Sequence, residues 1–88
     1  MLKKIDKQEI MTASDAMKKY QTQYFIMIIT DVVDMGGDND LGYVIYTADK
    51  ERELNEIPRD EYKGKRAAFM LGGAAEPFPC LDRVVYHD

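Results

Sequence analysis

The sequence is poor in cysteine and histidine and has no long apolar run. Its 88 residues include one cysteine, Cys80, and one histidine, His87. A lone cysteine cannot build an internal disulfide framework, which favours a reducing compartment. The longest apolar run, residues 24–29, is far shorter than the roughly 20 residues of a membrane span. Residues 1–6 have a charged start with no apolar run behind it, unlike a signal peptide. We therefore expect a cytoplasmic, bacterial-type protein that does not bind membranes.

Positive charge is scarce in the middle of the chain. Residues 31–61 carry ten acidic side chains against three basic ones, and the whole chain has a net charge of −4. An acidic surface of this kind repels phosphate backbones. We expect no nucleic-acid partner, and interpret most of the acidic side chains as a solvated surface.

The length leaves room for one domain, residues 1–88, and no second core. Hydrophobic residues make up 45% of the chain and charged residues 32%, which is typical of a globular protein. A chain of this size buries only about 60–65% of its unfolded surface, so a partner subunit would add stability.

Two short helices are predicted. The first begins at a Thr12 cap, with Asp15 suited to the helix N-terminus, and runs to about Tyr20. The second runs from Lys50 to about Ile57 and is ended by Pro58. Residues 1–11 are interpreted as a polar N-terminal arm.

Four strands are predicted from runs of β-branched and aromatic residues, at 24–33, 43–48, 66–71 and 81–87. The first two form a hairpin around a long acidic loop. With the helices, the order is α-β-β-α-β-β. This order predicts an α+β two-layer sandwich, in which a four-stranded antiparallel sheet carries both helices on one face.

The first strand is apolar on both of its faces, although the helices are expected to cover only one. The face formed by Phe25, Met27 and Ile29 is then left for a partner. We predict a homodimer through this interface, because a second copy of the chain is the simplest partner. The alternative is that the arm and residues 73–80 fold over the same face.

Tyrosine and aspartate supply the candidate ligand-binding residues. Tyr24, Tyr43 and Tyr46 lie on the first two strands, and tyrosine is favoured where ligands or partners bind. Asp31 lies on the apolar first strand, on the face of Met27 and Ile29, where a half-buried carboxylate would be suited to polar chemistry. These four residues are the predicted lining of a pocket at the dimer seam.

The acidic loop, residues 34–42, has many oxygen ligands but does not match a known calcium loop. Asp34, Asp38, Asn39 and Asp40 lie close together, yet no glutamate stands at the position where an EF-hand would close. A hairpin loop made of good turn formers explains the same residues. We predict no bound metal.

Cys80 and His87 do not form a convincing catalytic pair. On one strand their separation of seven residues would place them on opposite faces. A free cysteine is more often a small buried hydrophobe, and a histidine near the end of a chain is usually solvated. Gly72 and Gly73 fit a strand end and turn, because no phosphate-binding motif surrounds them.

No set of residues points to catalysis. We therefore expect a non-catalytic homodimeric protein-interaction or regulatory module with no cofactor. One alternative is a small-ligand-binding domain with the tyrosine-lined pocket. A less favoured alternative is an enzyme whose catalysis would depend on Asp, Glu, Tyr or Arg side chains.

Overall fold

A computed structural model describes residues 1–34 and 39–73 in full, and the backbone of residues 84–85. It shows an antiparallel sheet combined with a few short helices, which confirms the predicted α+β class. The central order of helix, two strands, helical segment and strand is also as predicted. The arm, the type of the second helix and the coverage of the sheet differ.

The sheet is built around two long strands. Its members are β1 (Lys3–Lys4), β2 (Met11–Thr12), β3 (Tyr24–Asp31), β4 (Leu41–Ala48), β5 (Arg66–Leu71) and β6 (Val84–Val85). They lie in the order β1-β4-β3-β5-β6, and β2 pairs with the same edge of β4 as β1. The predicted strands at 24–33, 43–48 and 66–71 are therefore present within two residues at each end. Most of the predicted fourth strand lies outside the described residues.

The helix α1 (Ala13–Lys19) begins and ends close to where the sequence predicts. Thr12 is its N-cap, and the Asp15 N–H donates to Thr12 Oγ1 at 3.1 Å. The second helical segment is a 3-10 helix, Glu51–Glu56, followed by another at Arg59–Glu61. The helix Glu51–Glu56 ends in a tight turn, in which the Ile57 N–H donates to the Leu54 carbonyl. Pro58 then prevents an α-helical continuation.

β3 is paired at both edges, with β4 and β5, and is buried on both faces because a layer packs against each of them. Phe25, Met27 and Ile29 belong to one apolar cluster, and Ile26 and Ile28 belong to the other. This alternation explains the apolar run in the sequence, since successive side chains of a strand point to opposite faces.

The helical segments cover opposite faces of the sheet, which corrects the expected two-layer sandwich with both helices on one side. α1 places Ala13, Ala16 and Met17 in the cluster of Phe25. The 3-10 region places Leu54 and Ile57 in the cluster of Ile26. The prediction was wrong here because the apolar pattern of the strands does not say on which side of the sheet a connecting segment crosses.

The N-terminal arm is part of the sheet rather than a separate polar segment. β1 pairs Lys3 with Thr47 and Lys4 with Tyr46, and β2 pairs Met11 with Gly42. Ile5 and Met11 pack against the α1-side cluster, and Leu2 packs against the opposite one. The arm therefore covers the outer edge of β4.

The turn after α1 packs tightly against the end of β5. The Gly72 N–H donates to the Gln23 carbonyl at 2.8 Å, and the Gly73 N–H donates to the Met17 carbonyl at 2.9 Å. A Cβ on Gly72 would lie 1.9 Å from the Tyr20 carbonyl oxygen, so this close approach requires glycine. The predicted strand end at these glycines is confirmed, and it also anchors the C-terminus of α1.

Within the described part of the chain, no helix has both the length and the apolar character needed to span a membrane.

Candidate functional site

The end of the β3–β4 hairpin holds its shape through strand pairing and a side-chain bond. We call residues 31–34 and 39–41 the hairpin end. Asp31 lies opposite Leu41, after a register irregularity that follows Ile29. The Thr30 hydroxyl donates to the Leu41 carbonyl at 3.2 Å. These contacts fix the point at which the chain leaves the sheet.

Asp40 is the buried polar centre of the hairpin end. Its side chain has no exposed surface. Its Oδ1 accepts from the Val33 N–H at 3.0 Å and from the Asp34 N–H at 3.4 Å. Its backbone carbonyl accepts from the Ala13 N–H at 2.9 Å. Asp40 therefore ties the segment after β3 to the first residue of α1.

Two consecutive apolar side chains are exposed on this anchored backbone. Val32 is 45% exposed and Val33 is 54% exposed, whereas most large apolar side chains of the described chain are buried or half-buried. Asp31 beside them is exposed as well. The hairpin end thus combines an apolar pair, a fixed backbone and acidic flanks.

The predicted ligand-binding tyrosines lie on the 3-10 side of the sheet. Tyr46 is buried, with its hydroxyl 3.4 Å from Glu61 Oε1. Tyr24 and Tyr43 are half-buried and pack on the same cluster. Their rings therefore contribute to the core of this face.

Asp31 lies far from Tyr24 but nearer to Tyr43. Asp31 is exposed at one end of β3, whereas Tyr24 begins the same eight-residue strand. Seven strand residues separate these two Cα atoms by about 23 Å, so Asp31 and Tyr24 do not meet within one chain. Tyr43 lies opposite Ile28, three residues before Asp31. A pocket of these residues at a dimer seam stays a prediction.

The predicted interface residues are covered by the chain itself. Phe25 and Met27 have no exposed surface and Ile29 has 6%, beneath Ala16 and Met17 of α1. Their availability to a second copy was inferred from a face without helices, and α1 lies on that face. The alternative, that the arm and residues 73–80 fold over this face, is met in part: Ile5 and Met11 of the arm pack there, but α1 is the main cover, and residues 74–80 lie outside the described residues. Whether two copies associate stays a prediction.

Carboxylates hold the Met1 α-amino group at the start of the first 3-10 helix. Its nitrogen lies 2.7 Å from Asp49 Oδ2 and 3.1 Å from Glu53 Oε2. Glu53 Oε1 also accepts from the Lys50 N–H at 3.0 Å. The hydrogen bonds that the amino group donates to the Asp49 and Glu53 carboxylates raise its pKa. The same bonds lower the pKa of both carboxyl groups. We call this contact the amino-terminal clasp.

Open clefts border the clasp. One has a volume of about 500 Å³ and is lined by Met1, Asp49, Lys50, Arg52, Glu53 and Glu56. A second, of about 510 Å³, is lined by Lys50, Glu51, Arg52 and Asn55. Both have side chains of mixed charge and none of the predicted tyrosines, so they do not resemble the mostly apolar pockets that bind small molecules.

The acidic loop shows no metal site in the part that the structure describes. Among the described residues, no group of three or more His, Cys, Asp or Glu side chains is arranged to hold an ion. Asp38 lies outside these residues, as do Cys80 and His87. The sequence-based interpretations of those three residues stay predictions.

The residues that organise the hairpin end carry no distinct signal in the sequence. Asp40 is one of several aspartates in the acidic loop, and only its position directly before an apolar strand sets it apart. Val32 and Val33 were assigned to the first strand, which ends at Asp31. The contact of Asp49 with Met1 spans 48 residues. Contacts at that separation leave no local pattern.

No protein-family model matches this chain, and comparisons with curated proteins and with solved structures also gave no match. What the chain does therefore has to follow from its own residues.

Proposed function

We propose that this chain is a non-catalytic protein-interaction module whose hairpin end contacts another protein. One observation carries the proposal: Val32 and Val33 are about half exposed on a backbone that the buried Asp40 carboxylate holds in place. Single exposed apolar side chains are ordinary on protein surfaces. Two consecutive ones on an anchored segment form a small, preorganised contact surface.

Preorganisation matters because ordering a segment on binding costs free energy. The bonds from Val33 and Asp34 to Asp40 already restrict this backbone in the free chain. Fully burying a valine contributes about 1.5 kcal/mol, so covering the exposed halves of two valines contributes roughly that amount in total. A partner gains this without first ordering the hairpin end.

The charge around the valines indicates the chemistry of the partner. Asp31 is exposed and Asp34 is half-buried, on either side of the apolar pair. Complementary charge at the rim of an interface favours encounter and disfavours wrong partners. The surface fits an apolar patch bordered by lysine or arginine on another protein.

The test compares a double variant with a matched control. Val32→Ser with Val33→Ser removes the apolar pair, and Ile10→Ser removes a side chain that is 63% exposed on the arm. Each protein is immobilised on a support and incubated with an extract of the cells that naturally make it. Bound proteins are then identified by cross-linking mass spectrometry. Urea unfolding establishes that all three proteins are folded.

We expect a partner that binds the original chain and Ile10→Ser equally, and the double variant about tenfold more weakly, which corresponds to about 1.4 kcal/mol. Equal retention by all three proteins would place the contact elsewhere on the chain. If the original chain retains nothing, the interaction proposal fails.

A further inference from the structure

The N-terminal arm contains three more residues than the edge of β4 requires. Lys4 lies opposite Tyr46, and Met11 lies opposite Gly42. The arm thus advances seven residues while β4 advances four. An uninterrupted antiparallel strand would advance equally on both sides. The arm therefore leaves the edge and returns to it with three residues of slack.

The slack lies in residues 6–10. Ile5 is still bonded to the edge, since its N–H donates to the Ile45 carbonyl at 2.8 Å. The pairing resumes at Met11, and all five residues in between are exposed. Residues 6–10 form the excursion, and three residues add about 10 Å to the reach of an extended chain.

Residues 1–5 are held on the edge by contacts that bury little surface. They include the amino-terminal clasp of Met1 with Asp49 and Glu53, and the half-buried Ile5 against the α1-side cluster. β1 pairs at two residues, and both are exposed. Leu2 is half-buried against the 3-10-side cluster. Lys4 Nζ lies 3.5 Å from Glu61 Oε1, but exposed ion pairs of this kind contribute only about 0–1 kcal/mol. A segment with so little buried surface opens far more readily than the central strands.

We call the surface that residues 1–5 cover the seat, and its groups match that segment. It presents the β4 edge, apolar positions for Leu2 and Ile5, the Glu61 carboxylate for Lys4, and the Asp49 and Glu53 carboxylates for the Met1 amino group. Residues 1–5 of a second copy have the same groups in the same order. Reciprocal exchange reproduces every one of these contacts and closes a two-fold dimer, so no surface is left open for further growth.

We infer that residues 1–5 exchange between two copies of this chain, and that the slack in residues 6–10 supplies the reach. The occupant of the seat in the dimer is the second copy's own residues 1–5. This inference is independent of the hairpin end, which lies outside the arm.

The test uses a disulfide between cross-strand partners. Lys3→Cys and Thr47→Cys are introduced together with Cys80→Ser, because Lys3 and Thr47 are directly opposite each other on β1 and β4. The same substitutions are made in a chain lacking residues 7–9, in which Asp6 is joined to Ile10 and the arm pairs continuously with β4. Both proteins are oxidised over a range of concentrations and examined by native mass spectrometry. Urea unfolding of both reduced proteins shows that they are folded.

We expect disulfide-linked dimers that increase with concentration when residues 7–9 are present, and at least tenfold fewer when they are deleted. Intrachain disulfides alone in both proteins would overturn the exchange. Equal amounts of linked dimer in both would show that the slack has no part in it. A dimer that survives deletion while its disulfides are intrachain would place the contact on another surface. The Val32→Ser, Val33→Ser variant should exchange normally, so the two proposals can fail separately.

Discussion

The pairing of β5 with β3 and the pairing of the arm with β4 differ in how firmly their registers are fixed. β5 follows β3 over six consecutive partners, from Tyr24 opposite Leu71 to Ile29 opposite Arg66. The arm pairs with β4 in two short stretches, at Lys3–Lys4 and from Met11 onward, and between them the arm has three more residues than β4. The first pairing is central in the sheet and the second is at its edge.

The difference teaches that burial on both faces, rather than strand propensity, fixes a register. A one-residue slip of β5 would move Ala67, Ala68 and Phe69 to the wrong faces, and all three are buried. A slip of β1 moves the exposed Lys3 and Lys4 and, beside them, only the half-buried Leu2 and Ile5. Short, lysine-bearing edge strands also resist unwanted pairing with other sheets.

The largest effect is expected for Gly42→Ala, which disturbs the pairing of β4 with β3 on the central side of β4. A Cβ at this position would lie 1.9 Å from the Ile28 carbonyl oxygen, and backbone cannot move aside as a flexible side chain can. We expect a loss of more than about 3 kcal/mol in the free energy of unfolding, measured by urea denaturation.

Gly73→Ala is its control. Gly73 has a φ of +77° but its Cβ would lie no closer than 3.7 Å to any atom. The loss there is expected to be about 1 kcal/mol, from backbone strain alone. Equal losses at both positions would show that the steric contact at Gly42 is relieved elsewhere.

Truncating an apolar side chain tests the same comparison away from glycine. Met27 has no exposed surface on β3, whereas Ile10 is 63% exposed in the arm excursion. Met27→Ala is expected to cost about 3 kcal/mol and Ile10→Ala less than about 0.5 kcal/mol. Thermal and urea unfolding of the two variants measure both values. A cost above about 1 kcal/mol for Ile10→Ala would mean that the arm excursion is packed in solution.

Asp40→Asn tests the anchor of the hairpin end, which lies between the central and edge regions. The change weakens two bonds that a carboxylate accepts from backbone N–H groups, and we expect a loss of about 2 kcal/mol in the free energy of unfolding. Asp31→Asn, on an exposed side chain, is the matched control with little expected change. If both substitutions are neutral, the valines are not held by Asp40.

The smallest effect is expected at the amino-terminal clasp. The pKa of the Met1 amino group is raised above 8.0, so its contribution is complete below that pH and is lost as pH rises through the higher value. The pKa values of Asp49 and Glu53 are lowered from 3.8 and 4.5, so their contribution is complete above those values and is lost in more acidic solution. The clasp should therefore stabilise the arm between about pH 5 and pH 8.

The measurement compares thermal unfolding of the chain with that of an Asp49→Asn, Glu53→Gln variant across this pH range. The original chain should unfold at a slightly higher temperature near pH 6, and the difference should fade in 1 M salt, because all three groups are at the surface. A difference that persists at pH 11 would have another origin.

Local signals in the sequence predicted many of the elements of this fold. Thr12 and Asp15 located the start of α1, and Pro58 located the end of the second helical segment. The apolar runs located β3, β4 and β5 because apolar side chains are buried away from water when the chain folds. Of the candidate site, the acidic hairpin loop was recognised, but neither the anchoring role of Asp40 nor the exposure of the valines was.

The amino-acid sequence by itself determined, to within two residues, where α1 and the strands β3, β4 and β5 begin and end, since caps and β-branched runs act within a few residues. Only the tertiary structure decided that α1 and the 3-10 segments cover opposite faces, that Phe25 and Met27 are enclosed by the chain, and that the arm joins the sheet. These outcomes depend on contacts between residues far apart in the chain, such as Ala13 with Asp40 and Lys3 with Thr47. Such contacts are chosen by which surfaces can be buried together, and no short stretch of sequence encodes that choice.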